Sequence, residues 1–324
     1  MQGIKKSRIR ARLIMLCKIL ALVAVLVLIY GKVANSHNFR DQLMASLYRL
    51  FDNSLSKSLL LLAIFLMPVN WILEALKWKK LSQPIVNLSL KKAIIGVLSG
   101  LSMGFVTPHG IGDYAGRIWH VEGKDRGRLI GSVWLGKVVQ MAMTTIFGVF
   151  GIWIYFQNHS FEKISAKPLL MFAAGLLLIG LIVFIFLYFS NFRHKIRRAF
   201  NYYFGIIIRY HSTSVLQVIW YSFLRYVTFS FQFFLIIIAL GIDMPVKFIV
   251  AGIGWVFFMK SIIPSFNFLS DLGIREYSAL TFFENFAADQ ASVIGASLVI
   301  WMINILIPVL VGLIFIIKIR TNRL

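Results

Sequence analysis

Cysteine occurs once in this chain of 324 residues, as Cys17. A single thiol excludes an internal disulfide and any cysteine-based metal or redox centre. Histidine offers no substitute: His109 and His120 have no third ligand at a useful spacing, so a metal site is not expected. The glycines of "GKDRGR" (123–128) lack the spacing of a phosphate-cradling loop, which argues against nucleotide binding. No Ser/His/Asp constellation can be argued from spacing, and the expectation is a protein that is not an enzyme and needs no cofactor. Charge is sparse as well, at 14% of residues against about a quarter in a soluble domain. Acids are scarcest, with 12 Asp and Glu against 34 Lys and Arg, for a net charge of +22. Nucleic acid is one reason for such a bias. The basic residues cluster at the ends of apolar runs, however, and cytoplasmic loops on anionic headgroups explain that better.

What the chain does contain is hydrocarbon: 59% of its residues are hydrophobic. Runs long enough to cross a bilayer lie at about 12–30, 58–78, 131–156, 168–190, 214–240 and 291–317. The first follows a basic "MQGIKKSRIRAR", as in a signal peptide. It is long for one, and "GKVANSHNF" shows no small-x-small cleavage site, so a retained helix is expected, with Lys18 snorkelling to the headgroups. The fold class is therefore all-α: a polytopic membrane helical bundle of about six spans. It reads as a single transmembrane domain, with an N-terminal span and outer loop (1–57), a first half (58–190), a basic connector (191–213) and a second half (214–324).

Two further runs, 93–107 and 246–263, are shorter or end at a proline. Loop charge says what they do. The positive-inside rule places "KKSRIRAR", "KWKK", "RIWHVEGKDRGR" and "NFRHKIRRAF" in the cytoplasm and the acidic "ENFAADQ" outside. Residues 92–117 must then enter and leave by one face, as a re-entrant element, and 246–286 dips in from the other. Both termini fall in the cytoplasm of a cell (inner) membrane. The two elements resemble one another: each starts at lysine, runs apolar and glycine-dotted, breaks at Pro108 or Pro264, then offers Gly-Ile and charge. That is the pattern of an inverted repeat, whose broken helices bind substrate in transporters; chance similarity is the alternative.

Charge inside the bilayer is costly and faces a cavity or a partner. "PSFNFLSDLGIREY" (264–277) places Asp271, Arg275 and Glu276 between two apolar segments, as a polar cavity or as an ordinary outer loop. Arg275 has a planar fork suited to phosphate, and it also stands four residues from Asp271, at ion-pair spacing. Asp113 and Arg117 have the same spacing, as a gate of the cavity or as a helix start. Glu74, with Asn70 on its face, has Lys77 near by and reads as interfacial. Arg225 lies deeper, with Gln232 on its face, and calls for a phosphate or, as the favoured reading, a structural partner such as Glu74 or Asp113. Residues 191–211 read equally as an interfacial helix or a plain basic loop.

At these residues the sequence resembles a known family. "IIPSFNFLSDLGIREY" is similar to the Pro-Ile-Ser-x-Gly-Gly-x-Gly-x-Arg-Glu motif of the flippase-like transmembrane family, the membrane half of lysylphosphatidylglycerol synthases. "TPHGIGDYAGR" resembles its Pro-x-x-x-Gly-Glu motif, and "WLGKVVQ" sits where the family has Glu-Arg and a following Asp. The resemblance runs from about residue 58 onward. It carries over Pro264, Gly273, Arg275 and Glu276 from one motif, and Pro108, Gly112 and Arg117 from another, with Asp113 for glutamate and Lys137 for arginine. "SFNFLSD" replaces the glycine-rich stretch. Gly136 and Gln140 replace two acids, so Lys137 loses its near partners.

The resemblance implies the flippase-like half only, since "KIRTNRL" follows straight after the last span. It implies a protein that binds and moves an anionic phospholipid or lipid-linked phosphate. Arg275, Arg117 and Lys137 would hold the phosphate, and Glu276 and Asp113 would hold those cations. A scaffold for a lipid-modifying or envelope enzyme is the alternative. The expected partners are membrane lipids, with no nucleic acid; an oligomer is left open.

Overall fold

In a computed structural model the described residues are 39–107, 110–121, 124–157, 198, 201–263, 268–286 and 288–321. The runs 12–30 and 168–190, Pro108, His109 and Pro264 lie outside them. Among them there are ten α-helices and no strand. In chain order these are α1 Phe39–Arg49, α2 Ser54–Ser82, α3 Leu90–Val106, α4 Gly112–Trp119, α5 Leu129–Gln157, α6 Ser212–Ala239, α7 Val246–Ile262, α8 Phe268–Phe283, α9 Gln290–Trp301 and α10 Ile307–Thr321.

Local chemistry sets the boundaries. Asn53 caps α2, its Oδ1 accepting from Ser56 N at 2.7 Å; Asp289 caps α9 by accepting from Ser292 N at 3.0 Å. At the far end of α6, Gly241 takes φ +73°. Its N–H donates to Ile238 O (2.9 Å), and that of Ile242 to Ile237 O (3.2 Å). That is a Schellman close, which needs a residue tolerant of the left-handed region.

Four stretches are long and apolar enough to cross a membrane: Ser54–Ser82, Arg126–Tyr155, Ser212–Ala239 and Gln290–Ile317. They fall on four of the expected spans, and the protein is a multi-pass membrane protein. Large apolar side chains such as Phe65, 82% exposed, face outward where lipid is the solvent. The region expected as an outer loop ahead of α2 contains a helix, α1. It is docked by Ser46 Oγ to Ser292 Oγ (2.9 Å) and by Arg49 Nη1 to Leu240 O (3.4 Å).

The two shorter runs behave differently from the spans. α3 and α7 have 17 residues each, about 25 Å and so short of the ~30 Å hydrocarbon layer. Each doubles back into the next helix. Glycines make the first hairpin: Gly96, Gly100 and Gly104 recur every fourth residue of α3 and meet α4 at Arg117, Gly116 and Asp113 in turn. Small residues at this spacing let two backbones touch, giving van der Waals packing that apolar bulk in lipid cannot supply. In the second hairpin Trp255 Nε1 of α7 donates to Ser278 O of α8 at 3.1 Å.

Two apolar cores lie at opposite ends of the antiparallel pair α2 and α6. Phe233, Ile236, Ile253, Phe282 and Ile300 build one, together with α7 and α8. Trp78, Leu81, Val97, Leu129 and Val218 build the other, together with α3. Between them three of the described crossing helices turn polar: Asn70 and Glu74 on α2, Gln140 and Thr144 on α5, Ser222 and Arg225 on α6. The connector also has a place: Tyr210 OH donates to Leu81 O and bonds Ser132 Oγ at 2.7 Å. Arg128 lies over the Tyr202 ring, 5.6 Å from its centre.

A Cβ on Gly116 would lie 2.6 Å from the backbone of Gly100 and Ser99, with no side chain to yield. Gly116→Ala should therefore cost about 1–3 kcal/mol. It should lower the melting temperature of the detergent-solubilised protein. Gly136→Ala meets only side-chain ends, Leu81 Cδ1 at 2.9 Å and Lys77 Cε at 3.8 Å, and should leave melting nearly unchanged; equal melting of the two variants would contradict the close-packed hairpin.

Candidate functional site

The polar layer is organised by Glu74. Its Oε2 lies 2.7 Å from Lys77 Nζ and 3.2 Å from Arg225 Nη1, and its Oε1 lies 2.9 Å from Arg117 Nη1. Arg117 Nε also reaches Asp113 Oδ1 at 2.7 Å, and Asp113 Oδ2 meets Lys137 Nζ at 3.0 Å. Gln140 Oε1 accepts from Lys77 Nζ at 3.2 Å and from Arg225 Nη1 at 3.5 Å. Four cations thus share two carboxylates, a surplus of positive charge at a membrane-buried level. Arg117 has Trp78 at 6.0 Å from its guanidinium carbon, and Lys137 Nζ is 4.5 Å from the Tyr114 ring centre. Both rings present electron-rich faces.

Local sequence makes this geometry. Asp113 and Arg117 are one helical turn apart on α4, so they face α3 together. Glycine at position 100 leaves room there: a Cβ would collide with Asp113 Oδ1 and stand 3.0 Å from Arg117 Cγ. Gly112 serves the same hairpin, packing on Met103 O. Glu74, expected at the interface, is instead 6% exposed and central. The reason is that α2 continues past it to Ser82. Lys137, which lacks acids near it in sequence, finds Asp113 across the hairpin.

Arg275 and Glu276 part company as neighbours on a helix must. Glu276 Oε1 accepts from Ser297 Oγ of α9 at 2.8 Å. Arg275, 2% exposed, faces a cavity of about 260 Å³. Asp271 is on α8, but its side chain is outside the described ones, as is any pairing with Arg275. Gly273 is buried on the same helix.

Three cations from three helices line that cavity: Arg225 of α6, Lys260 of α7 and Arg275 of α8. Gln140, Thr144 and Asn304 add neutral polar groups to its wall, and Tyr226, Phe229 and Phe257 add rings. Arg225 belongs to both systems, since it touches Glu74 on one side and the cavity on the other. Of the residues expected to hold a ligand, Arg275 reaches the cavity, whereas Arg117 and Lys137 are engaged by carboxylates in the adjoining network. Sequence reasoning missed Lys260, Gln140 and Asn304. Lys260 had a legible signal, as a lone cation inside "GWVFFMKSII"; the amides had none. Tyr226 also lines a second, apolar groove of about 350 Å³ with Phe147, Phe231 and Val250, so the charged cavity adjoins the lipid-facing surface.

Removing one partner of a buried ion cluster strands the others. Glu74→Gln leaves Lys77 and Arg117, both nearly fully buried, without their shared carboxylate. It should cost about 3–5 kcal/mol and abolish the folded peak in size-exclusion chromatography. Lys137→Met removes a cation that is 38% exposed and should cost about 1 kcal/mol or less. A Glu74→Gln protein as stable as Lys137→Met would show that the network does not hold the helices together.

Among curated proteins none matches the chain. The family model for the lysylphosphatidylglycerol synthase TM region matches residues 13–312, which takes in both hairpins, the charge network and the cavity. The chain therefore belongs to the lysylphosphatidylglycerol synthase TM region family, as a membrane-embedded, multi-pass protein linked to lipid handling.

Proposed function

We propose that the protein is a flippase-like carrier that binds the phosphate of an anionic phospholipid or lipid-linked phosphate and moves it across the bilayer. The observation that carries this reading is the convergence of Arg225, Lys260 and Arg275 on one cavity within the membrane. Membrane-buried cations are expensive and mark pathways for charged ligands. Arginine forks match phosphate oxygens two at a time. The Glu74 network sits behind the cavity and holds Arg225 in place, while Ser297 holds Glu276 toward α9. The apolar groove that meets the cavity at Tyr226 suits the hydrocarbon chain of the same ligand. No bond need be made or broken, so the reading is transport and not catalysis.

The two hairpins support an inverted arrangement. Each pairs a 17-residue helix with a following charged helix, and each belongs to a different apolar core at opposite ends of α2 and α6. Re-entry from opposite faces would let the halves expose the cavity alternately, with both termini in the cytoplasm.

Reconstitution with fluorescent phosphatidylglycerol, and with zwitterionic phosphatidylcholine as the control of no net charge, tests this. Wild type should accelerate exchange of the anionic probe between leaflets. Arg275→Gln and Lys260→Gln, compared at equal amounts of folded protein, should reduce that rate about tenfold or more, since each loses a charge-assisted contact. Wild-type vesicles no faster than protein-free ones would sink the transport reading and favour a scaffold.

A further inference from the structure

The span Gln290–Ile317 is not regular throughout. Over Met302–Leu306 it widens into a π turn. Such a turn interrupts the regular ladder, and it recurs where a helix must place a particular side chain. The polar side chain it carries is Asn304, 6% exposed and on the wall of the three-cation cavity.

A relay of amides decides which way Asn304 faces. It begins at Ala63 O of α2, a backbone carbonyl that can only accept. Gln232 Nε2 donates to it at 2.7 Å, which turns Gln232 Oε1 toward Asn70. Asn70 Nδ2 donates to that oxygen at 2.7 Å and reaches Asn304 Oδ1 at 3.4 Å. Reversing Gln232 or Asn70 would set acceptor against acceptor, and reversing Asn304 would set donor against donor. The relay therefore ends on the Asn304 NH₂ group. That nitrogen is buried and makes no hydrogen bond to any described residue. It is a donor without an acceptor, on the wall of a cavity that already has positive charge.

We infer that Asn304 is a specificity-determining residue of this cavity: its fixed, neutral NH₂ takes an uncharged oxygen of the ligand beside the phosphate, an ester carbonyl or a headgroup hydroxyl. This rests on the phosphate reading above. Arg225, Lys260 and Arg275 supply the charge for the phosphate. A buried donor adds discrimination instead, because a ligand without the acceptor leaves it stranded. Gln232 is a positioning residue that acts through Asn70 and does not line the cavity.

Two matched pairs of lipids test the inference by equilibrium binding to the purified full chain in detergent. Phosphatidic acid and its dialkyl-ether analogue differ only in the ester carbonyls. Dialkyl-ether phosphatidylglycerol and dialkyl-ether phosphatidylpropanol carry equal charge and differ only in the headgroup hydroxyls. Wild type should prefer the member with the extra oxygen about tenfold in one pair, and that pair identifies the source of the acceptor. Asn304→Leu should bring that ratio to within about twofold, and Gln232→Leu should lower it too. Equal binding within both pairs by wild type overturns this inference and leaves the phosphate reading standing, and that comparison needs no variant to fold. So does a folded Asn304→Leu protein that keeps the preference. Failure of all four lipids to bind overturns the phosphate reading and this inference together.

Discussion

Glu74 is one carboxylate serving three cations brought from three helices: Lys77 on α2, Arg117 on α4 and Arg225 on α6. Within a membrane, apolar helix faces specify little, because lipid tails compete for the same surface on equal terms. A buried charge specifies a great deal, since only a few rotations and depths of its helix bring it a partner. The Glu74 cluster therefore fixes how deep α2, α4 and α6 sit against one another. The two apolar cores above and below it fill the space that this register leaves.

The hairpin α3–α4 shows the same constraint met by backbone shape. Asp113 and Arg117 could not reach the layer if α3 carried side chains at positions 100 and 104. The glycine row thus does two things at once. It brings two backbones into contact, which lipid tails cannot imitate, and it admits an ion pair into the gap. α3 is held on its other side by α10, where Ser102 Oγ donates to Val309 O at 2.6 Å. α3 is thereby wedged between the charged helix α4 and the last span.

The charge balance of the site has a chemical consequence. Within the network two carboxylates answer half of the charge of four cations, and Arg117 is spoken for twice. The cavity adds Lys260 and Arg275 to Arg225 in a small space. On the proposed reading the phosphate of the ligand lies there, and the apolar groove that meets the cavity at Tyr226 takes the attached hydrocarbon. Membership in a lipid-linked membrane family agrees with that chemistry.

Much of the fold was legible in the sequence because hydrocarbon thickness imposes a length on apolar runs. Four of the expected spans coincide with membrane-length helices, and the two shorter runs are the outer arms of helical hairpins. The Asp113–Arg117 pair was legible too, since helical spacing alone brings residues four apart together. Arg225 could be seen to need an acidic partner. Which one it takes was a matter of tertiary structure, as was the burial of Glu74, which looks interfacial beside "KWKK". Distances across 151 residues, as between Glu74 and Arg225, carry no local signature in one sequence. The amide relay is the clearest case. Asn70, Gln232 and Asn304 are unremarkable apart, because a hydrogen bond has direction only once both partners are placed. The sequence determined that the protein lives in a membrane and where its charges interrupt the hydrocarbon. The packing of helices around a polar layer decided which charges neutralise each other and which face the cavity, because pairing depends on angstrom-scale distances that only the assembled bundle sets.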